Sequence, residues 1–278
     1  MKIGFIGAGK VGQSFGILLN AKNIPITGYY SKSKRSAEEA SIRIHTKAYD
    51  TLKQLVIDSD IIAITVTDDQ IDSIISEIDA LNIKTDDKMF FHMSGVQDSV
   101  NLSRISSHVF SLHPLKAFPE IIDSYHAFDG IYFSLEGADE MIRNWINQLD
   151  ITFFEIDKSQ KAQYHSAAVI VSNYLVSVID FGMTQLELVG LPKALAQKAL
   201  WPLVTNTIEN IEKMGTKNAL TGPIVRGDRE TIQKHLDVLN SDSKVLYRAL
   251  GKYTLSLSKH DLTHKQQLSR LFEEEKNG

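Results

Sequence analysis

Gly7-Ala8-Gly9-Lys10-Val11-Gly12 follows the apolar run Ile3–Ile6 and opens a helical pattern at the start of a βαβ unit. That is the context in which a G-x-G-x-x-G spacing carries chemistry. Gly7 allows a tight turn, Gly9 lets the backbone approach a pyrophosphate, and Gly12 lets the helix pack closely on the strand. The helix start presents unpaired N–H groups to the anion. The next strand ends in Tyr30-Ser31-Lys32-Ser33-Lys34-Arg35, with no carboxylate before Glu38. A carboxylate there would hold ribose hydroxyls, whereas Ser, Lys and Arg donate to a 2′-phosphate. The pattern favours NADP(H). The plainer alternative makes Ser31 or Ser33 the N-cap of the following helix, and both roles are compatible.

Three further strand exits carry polar groups to the same sheet edge. The run Ile61–Val66 emerges at Thr67-Asp68-Asp69-Gln70. In a doubly wound sheet the carboxyl ends of strands near the switch point border the ligand crevice, so Val66 and Thr67 are expected along a nicotinamide riboside. Asp68 either caps the next helix or touches the cofactor. The later exits are His92-Met93-Ser94-Gly95 and His113-Pro114-Leu115-Lys116, which bring hydroxyl, imidazole and ammonium groups to one crevice.

The elements that must position these groups follow from periodicity. Strands are expected at Ile3–Ile6, Ile24–Tyr30, Ile61–Val66, Lys88–Met93, His108–Leu112, Ile131–Leu135 and Thr152–Ile156, with helices such as Thr51–Ser59 and Ile71–Leu81 between them. Strand–helix alternation implies right-handed crossovers and a parallel sheet. From Lys158 the strand pattern stops. One long helix to Val189, a second over Lys193–Met214 kinked at Pro202, a third capped by Asp228, and two more near 243–257 and 262–275 are expected. The fold class is α/β: an N-terminal Rossmann doubly wound sheet over 1–156, then an all-helical domain over 157–278.

Composition narrows the class. The 278 residues are 43% hydrophobic and 23% charged, which excludes disorder and collagen. A net charge of -4 gives no basic excess for a dedicated nucleic-acid binder. Cysteine is absent, so disulfides, thiolate metal sites and a cysteine nucleophile are excluded, and a cytoplasmic setting fits. The apolar stretch Ala167–Ile179 is interrupted and short for a membrane span, so no membrane partner is expected. His260 and His264 have metal-ligand spacing without a third ligand, and read as a solvated helix face, so no metal is expected.

The glycine motif, the His113-Pro114-Leu115 exit, the Tyr164-His165-Ser166-Ala167-Ala168 to Ser172-Asn173-Tyr174 helix and the Leu220-Thr221-Gly222-Pro223-Ile224 turn resemble a two-domain family. It is described as Rossmann-like with a C-terminal domain of unknown function. It is similar to pyrroline-5-carboxylate reductase, ketopantoate reductase and the β-hydroxyacid dehydrogenases. The resemblance covers nearly the whole chain. It implies an NADP-binding N-domain, a helical C-domain that covers the cofactor and forms a homodimer, and NADPH-dependent reduction of a small 2-keto or imino acid. The first substrate it suggests is 2-dehydropantoate, and the next is pyrroline-5-carboxylate. A non-catalytic NADP-binding redox sensor is the reading from a different class.

The resemblance breaks at one place. β-Hydroxyacid dehydrogenases and ketopantoate reductases carry a catalytic Lys one turn before an Asn in the interdomain helix. Here Asn173 stands four residues after Val169, and the ionisable residue on that side is His165. His165 and Ser172 are two helical turns apart and share a face, with Asn173 adjacent. A ketone takes up a proton as hydride arrives, and an imidazole with an ordinary pKa of about 6.5 supplies it. His165 is therefore a candidate general acid, with Lys116 and His113 as rivals and packing at the domain interface as the plain alternative. Ser94, His113 and Asn173 are candidates to contact substrate. Arg226 either holds a substrate carboxylate or pairs with Asp228 or Glu230.

Overall fold

A computed structural model describes residues 1–273. In chain order the first elements are β1 (Ile3–Ile6), α1 (Lys10–Ala21), β2 (Ile26–Tyr30), α2 (Lys34–Arg43), β3 (Lys47–Ala48), α3 (Leu52–Asp58), β4 (Ile61–Ile64), α4 (Ile71–Asp79), β5 (Met89–His92), β6 (His108–Pro114), β7 (Tyr132–Glu136), α5 (Glu140–Gln148) and β8 (Thr152–Glu155). The seven expected strands are present, with ends within two residues of the expectation, and β3 is an addition.

The strands form one sheet in the order β3-β2-β1-β4-β5-β6-β7-β8. The order reverses between β1 and β4, and that switch point opens the crevice at their carboxyl ends. Alternate residues of each central strand enter different cores. Ile61 and Ala63 of β4 join Phe5, Phe15 and Phe91 on one face, while Ile62 and Ile64 join Leu55, Ile75 and Phe90 on the other. Burial of both faces explains why these strands are continuously apolar.

Every strand pairing is parallel except β6 with β7. The chain between these two contains only a short 3-10 turn, Tyr125–Phe128, and no crossover helix to carry it back to the starting edge.

The remaining elements are α6 (Lys161–Val171), α7 (Asn173–Leu188), α8 (Lys193–Met214), α9 (Thr216–Ala219), α10 (Pro223–Arg226), α11 (Arg229–Val238), α12 (Ser241–Leu257) and α13 (Leu262–Ser269). The single long helix expected from Lys158 is interrupted at Ser172, where φ is -113° and ψ is -71°. The Ser172 hydroxyl donates back to the Ala168 carbonyl at 2.7 Å, a bond that competes with the helix ladder and bends it. α8 runs through Pro202 and ends at Gly215, whose φ is 77°. Asp228 caps α11 by accepting from the Thr231 N–H. The last expected helix ends at Ser269, and the C-terminal Lys and Glu run from 274 onward lies outside the described residues.

Contacts divide the chain into two compact units, Met1–Leu175 and Val176–Gly278. The first unit therefore reaches into the helical stretch beyond 156. The second has a small core of Ile232, Leu236, Leu255, Leu268 and Phe272. Among the described residues one helical stretch, Lys158–Leu188, is long and apolar enough by length and composition to cross a membrane. It extends past the interrupted stretch Ala167–Ile179 because the flanking turns are also helical.

Candidate active site

The glycine loop is shaped by contact with the end of β4. Gly7 has φ 103°, and a Cβ there would lie 2.7 Å from the Thr65 carbonyl oxygen. A Cβ on Gly12 would meet the Thr65 hydroxyl and, at 2.9 Å, the Gly7 carbonyl. Thr65 Oγ1 donates to that same carbonyl at 2.8 Å and locks the turn. Gly9 differs. A Cβ on it would meet only the Thr65 carbonyl, at 3.9 Å, so its missing side chain leaves open space beside the start of α1. No side chain caps that helix start. A crevice of about 330 Å³ lies here, bordered by Gly9, Lys10, Val11, Val66, Thr67, Asp68, Ser94 and Phe118. The backbone thus fits a pyrophosphate: open space, uncapped N–H groups and a helix N-terminus. Ala8 is buried in the turn. The Lys10 ammonium donates to the Pro119 carbonyl at 2.5 Å, which ties the loop after β6 to α1.

The cations after β2 are placed unequally. Ser31 and Lys32 border a smaller cavity with Gly7, Tyr30 and Val66. Ser33 is the N-cap of α2 and accepts from the Ser36 N–H. Lys34 pairs with Asp50 and Arg35 with Glu39, both at 2.7 Å, while the Lys32 ammonium donates to the Gln70 side chain at 3.2 Å. These pairs are solvent-exposed, and such pairs are weak enough to exchange for a phosphate.

The β6 exit and α6 build a second cavity, of about 340 Å³, within the first unit. It is bordered by His113, Lys116, Phe118, His165, Ser172 and Asn173. His113 and His165 meet edge to face with ring centroids 6.0 Å apart. Both rings converge on Gly95: a Cβ there would collide with His165 Nδ1 and lie 2.9 Å from His113 Nε2. His165 Nδ1 is buried without a hydrogen-bond partner among the described residues. His113 Nδ1 lies 2.6 Å from the Tyr164 hydroxyl. Burial, reinforced by the neighbouring Lys161, His165 and His92, pushes the His113 pKa down to about 4. The imidazole is therefore neutral at pH 7. The Lys116 ammonium borders the cavity with no partner among the described residues.

Ser94 stands elsewhere. It borders the glycine-loop crevice, and its hydroxyl accepts from the Val96 and Gln97 N–H groups. Asp68 borders that crevice too, and its carbonyl accepts from Gln97. Arg226 lies 3.9 Å from Asp228. His260 donates to the Ile224 carbonyl and His264 pairs with Asp261, so the two engage different partners.

Sequence reasoning misses Lys161. Its side chain is almost wholly buried, and its ammonium donates to the Ser94 carbonyl at 2.8 Å and to the Ser111 hydroxyl at 2.6 Å. It joins the first turn of α6 to the exit of β5 and the middle of β6. Burial pulls its pKa down to about 8, against the pull of Glu136, Asp68 and Asp98. Glu136 accepts from the Ser99 N–H and hydroxyl, while burial pushes its carboxyl up. No motif marks Lys161. The available signal is a lysine at the start of a helix whose neighbours are strand exits.

Comparison with known proteins agrees with this architecture. Residues 1–114 match the Rossmann-like domain family, and residues 131–254 match a domain of unknown function, DUF2520. The chain joins these two domains. A Thermotoga maritima protein of known structure is 25% identical, with 92% of this chain and 98% of that one covered and a TM-score of 0.71. A Bacteroides fragilis protein described as a candidate NADP oxidoreductase is 21% identical over the same shares, with a TM-score of 0.72. The pyrroline carboxylate reductase of Plasmodium falciparum, solved with NADP bound, is 14% identical over 98% of both chains, with a TM-score of 0.61. The curated proteins contain no match.

Proposed function

We propose that the chain is an NADP(H)-dependent oxidoreductase that reduces a small 2-keto or imino acid. The observation that carries this reading is the succession of two cavities sharing Phe118: an open glycine-loop crevice, then a cavity holding two histidines and an unpaired lysine. Gly7 to Gly12 would hold the pyrophosphate, Ser31 to Arg35 the 2′-phosphate, and Val66 and Thr67 the riboside. When bound, the reduced nicotinamide supplies a hydride. Lys116 would pair with the substrate carboxylate, His165 would deliver a proton to the reduced group, and Asn173 would orient the substrate. The NADP-bound Plasmodium falciparum reductase, which shares the fold, supports the cofactor assignment.

The exposed apolar side chains Val176, Trp201 and Leu203 support a homodimer formed through the helical domain. Sedimentation in the absence of detergent tests that state, because a membrane-inserted helix would need detergent to remain dispersed.

The decisive experiment follows NADPH oxidation with 2-dehydropantoate and pyrroline-5-carboxylate, alongside fluorescence titration with NADPH and NADH. Turnover of either compound and tighter NADPH binding are expected, with Ser31→Asp reversing the cofactor order. Tight NADPH binding without turnover of any keto or imino acid would favour the sensor reading. Equal affinity for the two cofactors would overturn the 2′-phosphate assignment.

A further inference from the structure

His92 and His113, at the ends of β5 and β6, show how ring protons are placed in this unit. His92 Nε2 lies 2.9 Å from the Asp98 carbonyl, which only accepts, so its proton sits on Nε2. His92 Nδ1 then accepts from the Ser94 N–H at 3.3 Å. His113 faces a hydroxyl, which either donates or accepts. Tyr164 decides the matter. Its hydroxyl has His113 Nδ1 at 2.6 Å, and burial outweighs the nearby Ser134 hydroxyl in holding its phenol above the ordinary pKa. Because Ser134 Oγ has no hydrogen-bond partner among the described residues, the buried O–H that keeps its proton has His113 as the acceptor in reach. The imidazole has one to offer only if Nδ1 is bare.

We infer that Tyr164 is a positioning residue that donates to His113 Nδ1, fixes the ring proton on Nε2, and makes that Nε2–H the cavity's donor to a substrate oxygen. His113 then polarises without giving up its proton. Proton delivery is left to His165, whose ring lies at right angles across Gly95. Lys161 and His165 of α6 and His92 of β5 face His113 as cations or potential cations, and each disfavours a second proton on it. A carbonyl or carboxylate oxygen accepts from such a donor. The nitrogen of a protonated imine, itself a donor, does not, so with the substrate carboxylate paired to Lys116 the arrangement favours keto over iminium substrates. This rests on the reductase reading for its substrate, and on the geometry alone for its tautomer.

The test separates the two. Long-range ¹H–¹⁵N spectra of the full chain labelled at histidine, with His113→Gln to assign the signal, should show His113 protonated at Nε2 and bare at Nδ1. That state should persist between about pH 5 and 8, the range in which an ordinary histidine titrates. Tyr164→Phe keeps the ring that packs edge-on against Phe154 and His113. It should yield mixed tautomers and lower kcat about tenfold, the worth of one hydrogen bond, with the KM for NADPH unchanged. A wild-type proton on Nδ1, or a His113 imidazolium forming near the ordinary histidine pKa, would overturn the inference. The Nε2–H tautomer in a protein that oxidises no NADPH would sustain it and sink the reductase reading instead.

Discussion

The glycine-loop crevice and the histidine cavity share a wall at Phe118 but are made of different materials. The crevice is backbone. Its shape comes from Gly7 and Gly12 pressed against Thr65, and the groups it offers to an anion are the main-chain N–H of an uncapped helix start. The cavity is side chain. Two imidazoles and an ammonium line it; the Tyr164 phenol bonds one imidazole, and both rings approach closely at Gly95. A backbone site fails when a side chain is added. A side-chain site fails when its support is removed, and it responds to pH.

Gly9→Val should break the first kind of site most completely. The structure leaves room for the added side chain, so the fold should survive, but the space for a pyrophosphate is filled. Fluorescence titration should find no NADPH binding, and a folded variant that binds normally would refute the assignment.

His165→Ala should break the second kind while sparing the first. Loss of a positioned proton donor lowers kcat by roughly 100- to 10,000-fold. NADPH affinity should stay as it is. Near-full turnover in this variant together with a dead Lys116→Ala would move the acid to the β6 exit.

Gly95→Ala sharpens the contrast, because here a small side chain damages the cavity without touching the crevice. Its methyl would collide with His165 Nδ1 and crowd His113 Nε2. Displacement of either ring by an ångström costs about 100-fold in kcat. Unchanged kinetics would mean that the rings have room to adjust.

The smallest effect is on stability. Lys161 has a folded pKa of about 8 against an ordinary 10.5, so between these values the unfolded chain binds the extra proton. The penalty of burying the charge is fully present below pH 8 and is relieved as pH rises toward 10.5, by up to about 3 kcal/mol. Tyr29 and Tyr49, whose phenols burial pushes up, act with the opposite sign above about pH 10. Urea unfolding should therefore show stability rising from about pH 8 to 9.5, and Lys161→Met should abolish the rise. A flat wild-type profile would show that the ammonium is better solvated than its burial implies.

The same contrast explains what the sequence reveals. The glycine loop is legible because three glycines within six residues define a local geometry. The strands are legible because burial on both faces makes them apolar throughout. Lys161 is not, because its partners Ser94 and Ser111 lie 67 and 50 residues away, and only sheet order brings them together. The Tyr164–His113 bond spans 51 residues and is hidden for the same reason. The break at Ser172 is hidden differently: one serine within an apolar helical run is no obligatory stop, and it disrupts the helix through its own bond to Ala168.

Phe118 and the tether from Lys10 to Pro119 join the two cavities in space, and a relation in time is expected from that link. A ligand seated on the glycine loop would bear on the loop that walls the neighbouring chamber, and the second compartment is then expected to take its working shape after the first is filled. In the language of steady-state kinetics the expected outcome is a compulsory order: dinucleotide first on and last off. Its signature is oxidised dinucleotide competing with reduced dinucleotide, but not with the compound being reduced.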